Sequence, residues 1–387
     1  VGDLICGTLV IRQGRAVRLD ADDAALPPDM IILPKLVDAH VHLDKCHSVD
    51  RLGHTGGDLA AALKAQWDDK VLWTHEDLSR RVRLGLEELL AAGVGAVRSH
   101  VDWGNRTGAD KRPLAWDVIG GFMAEMRERG LVIQRAALTG ITEMADIDFA
   151  TPVAREVAQS GDVLGAFVQH HDHRRSGIMN MFRLADRFGL SLDFHVDEGL
   201  DPDLDGLEMI ADIAAETGFQ GPILCGHACA LASRSADYVA RLGEKLAKAN
   251  ISVAVLPTTN LYLQGRVPGG TPDRRGLTRF HELQAQGVNM IVATDNVCDA
   301  FCPIGRHDPM YSLSVAVLAG HLDPPLGRHM STITDNARLG MGLPGLSVDG
   351  AAAQDLLIYD CPSLSELIAD PTPPKPLLSR LEYADAG

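Results

Sequence analysis

The chain is short of positive charge. Lys and Arg number 36 against 52 Asp and Glu, for a net charge of −16, and no basic block occurs anywhere. That balance argues against a polyanionic partner such as nucleic acid and against an anionic membrane surface. No apolar run reaches the about 18 residues that a membrane-spanning helix needs. The first ten residues, VGDLICGTLV, place no basic segment ahead of a long apolar core, so no secretion signal is expected among them. The chain opens on Val1 rather than Met, which limits that reading to the residues given. Cysteine is scattered and odd in number: Cys6, Cys46, Cys225, Cys229, Cys298, Cys302 and Cys361. Such a set suits reduced thiols in a cytoplasmic protein better than a disulfide framework. Two C-x3-C pairs, Cys225/Cys229 and Cys298/Cys302, read as small buried residues in preference to a zinc knuckle. Internal repeats, low-complexity tracts and a Gly-rich phosphate loop are also missing.

What is present is apolar and periodic. The 387 residues are 46% hydrophobic, enough for one large barrel or two ordinary domains. From Leu36 onward, apolar runs of about six residues alternate with stretches of helical periodicity. The runs fall at 36–42, 94–101, 131–138, 162–168, 190–196, 222–227, 251–256 and 289–295. The helical stretches between them include 78–92, 113–129, 179–188, 207–217, 233–249 and 279–286, several closed by glycine. Eight strands alternating with helices predict an α/β fold, a (β/α)8 TIM-type barrel. An open doubly wound sheet would usually carry a Gly-rich loop after its first strand, and none follows here.

Residues 1–35 read instead as short strands, with a turn at Gln13–Gly14 and a Pro-bounded strand in 25–34. They are too few to bury a core of their own. The strand-like DLLIY at 355–359 offers them a partner. We therefore expect a small β-sandwich domain built from 1–35 plus 346–387, with a metal-dependent barrel over 36–345 inserted between them. The stretch 371–377 (PTPPKPL) reads as a Pro-rich connector.

Chemistry gathers at the carboxyl ends of the predicted strands, where such a barrel places its active site. In the first run, LVDAHVH, alternation puts Val37, Ala39 and Val41 on one face and His40 and His42 on the other. Two imidazoles converging from one strand suit a divalent metal. The second run ends at His100 and Asp102, and the fourth in Gln169, His170, His171, Asp172 and His173. The fifth ends at His195 with Glu198 three residues on, the sixth at His227 and the eighth at Asp295. Any one of these could be an ordinary polar loop residue. Their shared register at one end of the strands is hard to explain by packing, and metal binding follows from it.

With these residues in place, the chain resembles the amidohydrolase superfamily over nearly its whole length. Several stretches look like bacterial cytosine deaminase and related amino-heterocycle deaminases. They are HVHLD (40–44), VRSHVD (97–102), HVDEGLD (195–201), GHACAL (226–231), NLYLQGR (260–266) and TDNVCDAFCPIG (294–305). The resemblance implies one divalent ion, zinc or iron with manganese also accepted, held by His40, His42, His195 and Asp295. It implies a hydroxide generated at the metal, attack on a C–NH2 carbon and release of ammonia. Asp295 would also take the water's proton, His227 would hold the hydroxide or the developing oxyanion, and Glu198 would shuttle protons to the ring and the leaving group. Two-metal members bridge their ions with a modified Lys or another acidic group after the fourth strand. VQHHDH has no Lys there, so one ion is expected. His100, His170, His171 and His173 are left between structural and functional roles.

Substrate contacts are expected from Gln264, Asn296, Thr139 and Phe301, with Asn260 and Asp299 as weaker candidates. Trp67 and Trp73 fit helix packing before a lid. Two positions depart from cytosine deaminase: Leu138 and Thr139 stand where it has a Gln, and Asn296 stands where it has a second Asp. An amide donates and accepts where a carboxylate only accepts, so cytosine itself is not the expected substrate. The expected substrate is a cytosine-like pyrimidine, a pterin or a related amino-heterocycle. Its partners would be that small molecule and water, in a homo-oligomer without nucleic acid or membrane. Alternatives are cleavage of another C–N bond (an N-alkylamino-triazine or a cyclic amide) and a non-catalytic ligand-binding barrel. Retention of Glu198 and His227 beside the ligand set argues against the last. The other zinc deaminase pattern, H-x-E with P-C-x-x-C, is absent.

Overall fold

The computed structural model describes residues 5–21, 30–53, 56–104 and 112–379. The chain begins with a hairpin, β1 (Gly7–Arg12) and β2 (Arg15–Ala21), joined at Gln13–Gly14. Both turn residues have positive φ, 49° and 69°, which matches the twist a two-residue hairpin needs. Then come β3 (Ile31–Pro34) and, after Lys35 alone, β4 (Leu36–Val41). The part of the predicted 25–34 strand before Met30 lies outside the described residues, as do the last residues of the expected C-terminal unit.

Seven further strands alternate with helices: β5 (Val94–Asp102), β6 (Val132–Gly140), β7 (Val163–Val168), β8 (Leu192–Val196), β9 (Ile223–His227), β10 (Ile251–Val255) and β11 (Asn289–Val292). Strands β4 to β11 lie in chain order, every neighbouring pair parallel. A lone parallel bridge, Val41 with Asp295, brings the ends of that sheet together. The Asp295 N–H donates to the His40 carbonyl at 2.8 Å. Beside it, Thr294 donates through its N–H and hydroxyl to the two Asp38 carboxylate oxygens, at 3.2 and 2.6 Å. The predicted barrel is therefore present and nearly closed.

The helices sit close to the predicted stretches where apolar periodicity is strong. Examples are His75–Ala91, Leu114–Glu128 and Ala236–Lys248. The predicted helix at 179–188 begins earlier, at Arg174, because its first turn, RRSG, has no apolar residue to signal it. The helices Ile147–Ser160 and Pro309–Gly320 were not among the stretches named from the sequence, and Leu59–Asp69, which carries Trp67, was expected only as helix without bounds. Helix Leu59–Asp69 is half-exposed, which blurs its apolar stripe.

At the other end of the chain, β12 (Leu356–Tyr359) pairs antiparallel with β3, as the DLLIY run predicted. The Pro-rich stretch is more than a connector. Lys375–Pro376 forms β13 on the far edge of β12, an edge being where a strand tolerates proline. The hairpin is tied to the same region by Ala16 N donating to Ala351 O at 2.9 Å. Small antiparallel sheets from both termini thus flank the barrel. Among the described residues, no helix is long and apolar enough to cross a membrane.

Most of the core lies between strands and helices, but a second cluster joins Val37, Ala39, Ala96, Leu224, Ala254 and Ile291 from five strands to Ala337 and Met341. Polar groups are buried there too. The fully buried Arg98 guanidinium donates to Asp193 at 2.7 Å, to Gln134 at 2.9 and 3.1 Å, and to the Met341 carbonyl at 3.1 Å. Removing one partner of a buried pair costs about 3–5 kcal/mol, because the other charge is left uncompensated. Arg98→Met is expected to destabilise the protein by that amount in urea unfolding. A loss under about 1 kcal/mol would mean that Asp193 needs no partner.

Candidate active site

Strand β4 does not follow simple alternation. Its register against β5 shifts between Asp38 and Val41. Val37 and Ala39 pack in the second cluster, whereas Val41 packs with Leu43 in the larger one. The expected common face of Val37, Ala39 and Val41 is thus broken by a bulge, a feature that re-aims side chains next to functional sites. His40 and His42 nevertheless converge. His195, on β8, has its Nε2 3.1 Å from His40 Nε2 and 3.1 Å from His42 Nε2. Asp295 Oδ1 lies 3.5 Å from His40 Nε2 and 3.3 Å from His42 Nε2.

All four side chains are buried, and neither Asp295 oxygen has a hydrogen-bond partner. A buried carboxylate left bare beside converging imidazoles is costly unless a cation compensates it. Burial, followed by the crowding of other imidazoles, holds His40 and His195 well below the ordinary histidine range. Burial, followed by the Lys45 ammonium, brings His42 down to about 3. Burial opposes ionisation of Asp295, but His42 and His227 together hold its pKa below the usual value. Neutral imidazoles with an ionised carboxylate are the donor set of a divalent metal, and this His-rich site fits one.

His227 ends β9, its Nδ1 3.0 Å from Asn260 Oδ1 and 3.6 Å from Glu198 Oε1. Its Nε2 is buried without a partner, and it groups with His40 and Asp295 as potential ligands. Both His227 (φ 71°) and Asp295 (φ 62°) occupy the left-handed region, at a cost on the order of 1–3 kcal/mol each. The Glu198 side chain is 6% exposed. Burial pushes its pKa up to about 7; His227 opposes the shift and Asp295 adds to it.

Glu198, His227, His42 and His195 line a cavity of about 260 Å³, together with Thr139, Asn296 and Phe301. It opens beside a larger one of about 1320 Å³, and Glu198 and Gln169 line both. Gln264 lines only the outer cavity, its Nε2 buried without a partner. The Thr139 hydroxyl donates to the Gly165 carbonyl at 2.8 Å. Asn296 Nδ2 donates to Asp299 Oδ2 at 2.6 Å. His170 and His173 are exposed and His171 half-buried, away from the cluster. His100 Nε2 sits 2.9 Å from Asp193 Oδ1, its ring 3.9 Å from that of His40. Trp67 lines the inner cavity, whereas Trp73 is held by a 2.8 Å bond from Nε1 to Asp69.

The sequence reading missed Lys45, which lines the inner cavity three residues after His42. Its Nζ lies 2.7 Å from Asp102 Oδ1 and 5.3 Å from the Phe301 ring centre. Lys70 meets the other Asp102 oxygen at 2.7 Å. Burial alone would lower the Lys45 pKa, yet Asp102 and Asp44 hold it above the ordinary value. Its signal was the D-K pair one residue after H-x-H, of which only Asp44 was read, as the end of HVHLD.

A barrel with a His-rich site at the carboxyl ends of its strands defines a metal-site hydrolase fold. Residues 72–343 match the amidohydrolase family, and the chain belongs to it, as a hydrolase acting on non-peptide C–N bonds. It is 31% identical over 361 residues to a pterin deaminase of Rhizobium rhizogenes, covering 92% of this chain and 81% of that protein. The structure of 5-methylcytosine deaminase from Klebsiella pneumoniae with 5-fluorocytosine superposes with a TM-score of 0.81 at 26% identity, covering 93% of this chain and 89% of that one. N-isopropylammelide isopropylaminohydrolase from Burkholderia multivorans shares the fold, with a TM-score of 0.74 at 20% identity over 95% and 91% of the two chains.

His195→Ala removes the nitrogen nearest both other imidazoles. The variant is expected to lose the divalent metal of this cluster during purification, while retaining its far-ultraviolet circular dichroism. Elemental analysis checks it, and full metal occupancy of the cluster in the variant would dismiss His195 as a ligand.

Proposed function

We propose that the protein is a metal-dependent hydrolytic deaminase of an amino-substituted N-heterocycle of the pterin or cytosine kind. One observation carries the reading: a buried Glu198, its pKa pushed to about 7, faces a ring-sized cavity beside three converging imidazoles and Asp295. The similarity to a pterin deaminase and to 5-methylcytosine deaminase supports it.

His40, His42, His195 and Asp295 would hold one divalent ion, zinc, iron or manganese. Bound there, the ion would lower the pKa of a water toward neutrality. The remaining chemistry belongs to the chain. Asp295 accepts a proton from the attacking water. Glu198 gives a proton to the ring nitrogen next to the C–NH2 carbon, which makes that carbon electrophilic; its carboxylate then takes the proton left on the attacking oxygen, and the proton held by Asp295 passes to the departing ammonia, which restores both groups. A carboxyl group poised near pH 7 can do both. His227, its Nδ1 held against Asn260 Oδ1, leaves Nε2 free to hydrogen-bond the attacking hydroxide or the developing oxyanion. Phe301 offers the ring an apolar face. Lys45, held by Asp102, presents positive charge to the inner cavity.

The acid–base role has a direct test. Glu198→Gln keeps the shape but cannot carry a proton, so turnover should fall about 10²–10⁴-fold with metal content unchanged. If the variant keeps more than roughly a tenth of wild-type kcat, a different group carries the proton, since a positioned acid/base is worth far more than that. Removal of metal by chelator dialysis should abolish ammonia release, and added zinc, iron or manganese should restore it.

Selectivity follows from the hydrogen bonds already made. The Thr139 hydroxyl is committed to Gly165, so that position turns little but a methyl group to the cavity. Asn296 Nδ2 gives one of its two hydrogens to Asp299, which leaves the other N–H and Oδ1 for the cavity, where a carboxylate would only accept. A polar atom left without its partner costs about 1–3 kcal/mol. Cytosine is expected to be turned over on the order of 10²-fold less efficiently in kcat/KM than the best pterin or substituted pyrimidine. The assay is steady-state release of ammonia from pterins, 5-methylcytosine, cytosine and amino-triazines. Cytosine leading the panel would refute this account of Thr139 and Asn296. Release of alkylamine in place of ammonia would favour N-alkylamino substrates.

A further inference from the structure

Behind the active site, a second group of metal-competent side chains has no place in the chemistry above. Cys46, His47 and His307 each offer one ligand atom, and these atoms lie within 4.8 Å of one another. They come from the turn after β4 and from the segment preceding helix Pro309–Gly320. Glu88, on helix His75–Ala91, joins them: its Oε2 is 3.3 Å from His47 Nε2 and accepts from the His307 N–H at 3.2 Å. Cys46 Sγ is directed at the carbonyls of Leu43 and Arg81, at 3.4 and 3.6 Å.

The orientation of His307 is the second observation. Its ring is fully buried. Nδ1 faces the Thr294 hydroxyl at 3.5 Å, while Nε2 has no partner. That bare nitrogen points at the helix face that carries Arg81, Gly85 and Glu88, where a Cβ on Gly85 would come within 3.2 Å of it. A buried imidazole nitrogen with nothing to bond is costly, and a metal ion would satisfy it.

We propose that Cys46, His47 and His307, with Glu88 as a fourth ligand, form a second metal site, distinct from the active site and selective for zinc-like ions. One thiolate, two imidazoles and one carboxylate make a closed tetrahedral set, and soft sulfur excludes magnesium and calcium. Tetrahedral bond lengths require ligand atoms roughly 3.3–3.6 Å apart; the Cys46, His47 and His307 atoms, within 4.8 Å of one another, must draw in by about an ångström, while Glu88 already stands 3.3 Å from His47 Nε2. The Cys46 S–H proton leaves to solvent as the S–metal bond forms. Burial holds the Cys46 thiol well above its ordinary range, and the buried Arg81 guanidinium, paired with Asp77 at 2.9 Å, opposes that shift. Access is through Glu88, 26% exposed, and a cavity of about 190 Å³ that Glu88 and His307 line. This site pins the turn after the H-x-H motif to helix His75–Ala91, so its role is structural.

The test uses cobalt(II) and zinc with the purified full-length chain. The active-site ligand set contains no cysteine, so thiolate-to-cobalt charge-transfer absorption reports on this site alone. Wild-type protein is expected to take up two equivalents of zinc and to show that absorption with cobalt. Cys46→Ser should lose the absorption and one equivalent. His47→Asn, a residue that tolerates the φ of 54° at this position, should also lose one equivalent while kcat changes by less than about threefold. His195→Ala should keep the thiolate absorption, which separates failure here from failure of the active-site reading. A wild-type limit of one equivalent under excess zinc, or a cobalt absorption that survives Cys46→Ser, would overturn the proposal.

Discussion

The site depends on the seam of the barrel. The first and last barrel strands meet where the Asp295 N–H reaches the His40 carbonyl and Thr294 reaches Asp38. Every other strand pair is a neighbour in chain order. Only this contact brings the imidazoles of β4 beside the carboxylate that follows β11. In an open sheet the same residues would stand at opposite edges, and no four-ligand set could form. The left-handed backbone of Asp295 belongs to the same constraint, since the chain must turn sharply to close the ring and aim the carboxylate inward.

Electrostatics inside the ring is layered. Low in the barrel, Arg98 and Asp193 balance each other, and Asp193 meets His100 beneath the ring of His40. In the middle, burial and mutual crowding keep the ligand imidazoles neutral. At the mouth, Asp102 binds Lys45 and Lys70. Lys45, the cation that reaches His42, is tied to Asp102, and the ligand layer itself is left to Asp295. In a medium of low dielectric such a division matters, because a stray cation near the imidazoles would compete with a metal.

Much of this was legible in the sequence, for identifiable reasons. Apolar runs of about six residues, alternating with helical stretches, located every barrel strand, and the histidines and Asp295 could be placed because the fold puts its chemistry at strand ends. Pairing of the two termini followed from a segment too small to bury itself. What stayed hidden depended on tertiary contact. The bulge in β4 that sends Val41 away from Ala39 leaves no trace in an alternating pattern. Lys45 looks like an ordinary charged residue until Asp102 and Phe301 are seen around it. Thr139 was picked out by position, yet its hydroxyl is turned to a neighbouring strand. The Cys46, His47, His307 and Glu88 group joins segments more than two hundred residues apart, and no spacing rule gathers them.

The terminal sheet has a consequence for how the molecule assembles. Strand β3 is separated from β4 by Lys35 alone, and its partner β12 lies at the other end of the chain. The seam likewise joins residues 256 positions apart. Emerging from a ribosome, the first barrel strand therefore waits, unpaired on one side, until the last barrel strand has been made. Local helix–strand units can form early, but ring closure carries a large loop entropy and comes last. For most of synthesis, β3 and β4 present exposed apolar strand edges of the kind that chaperones bind and that aggregates recruit.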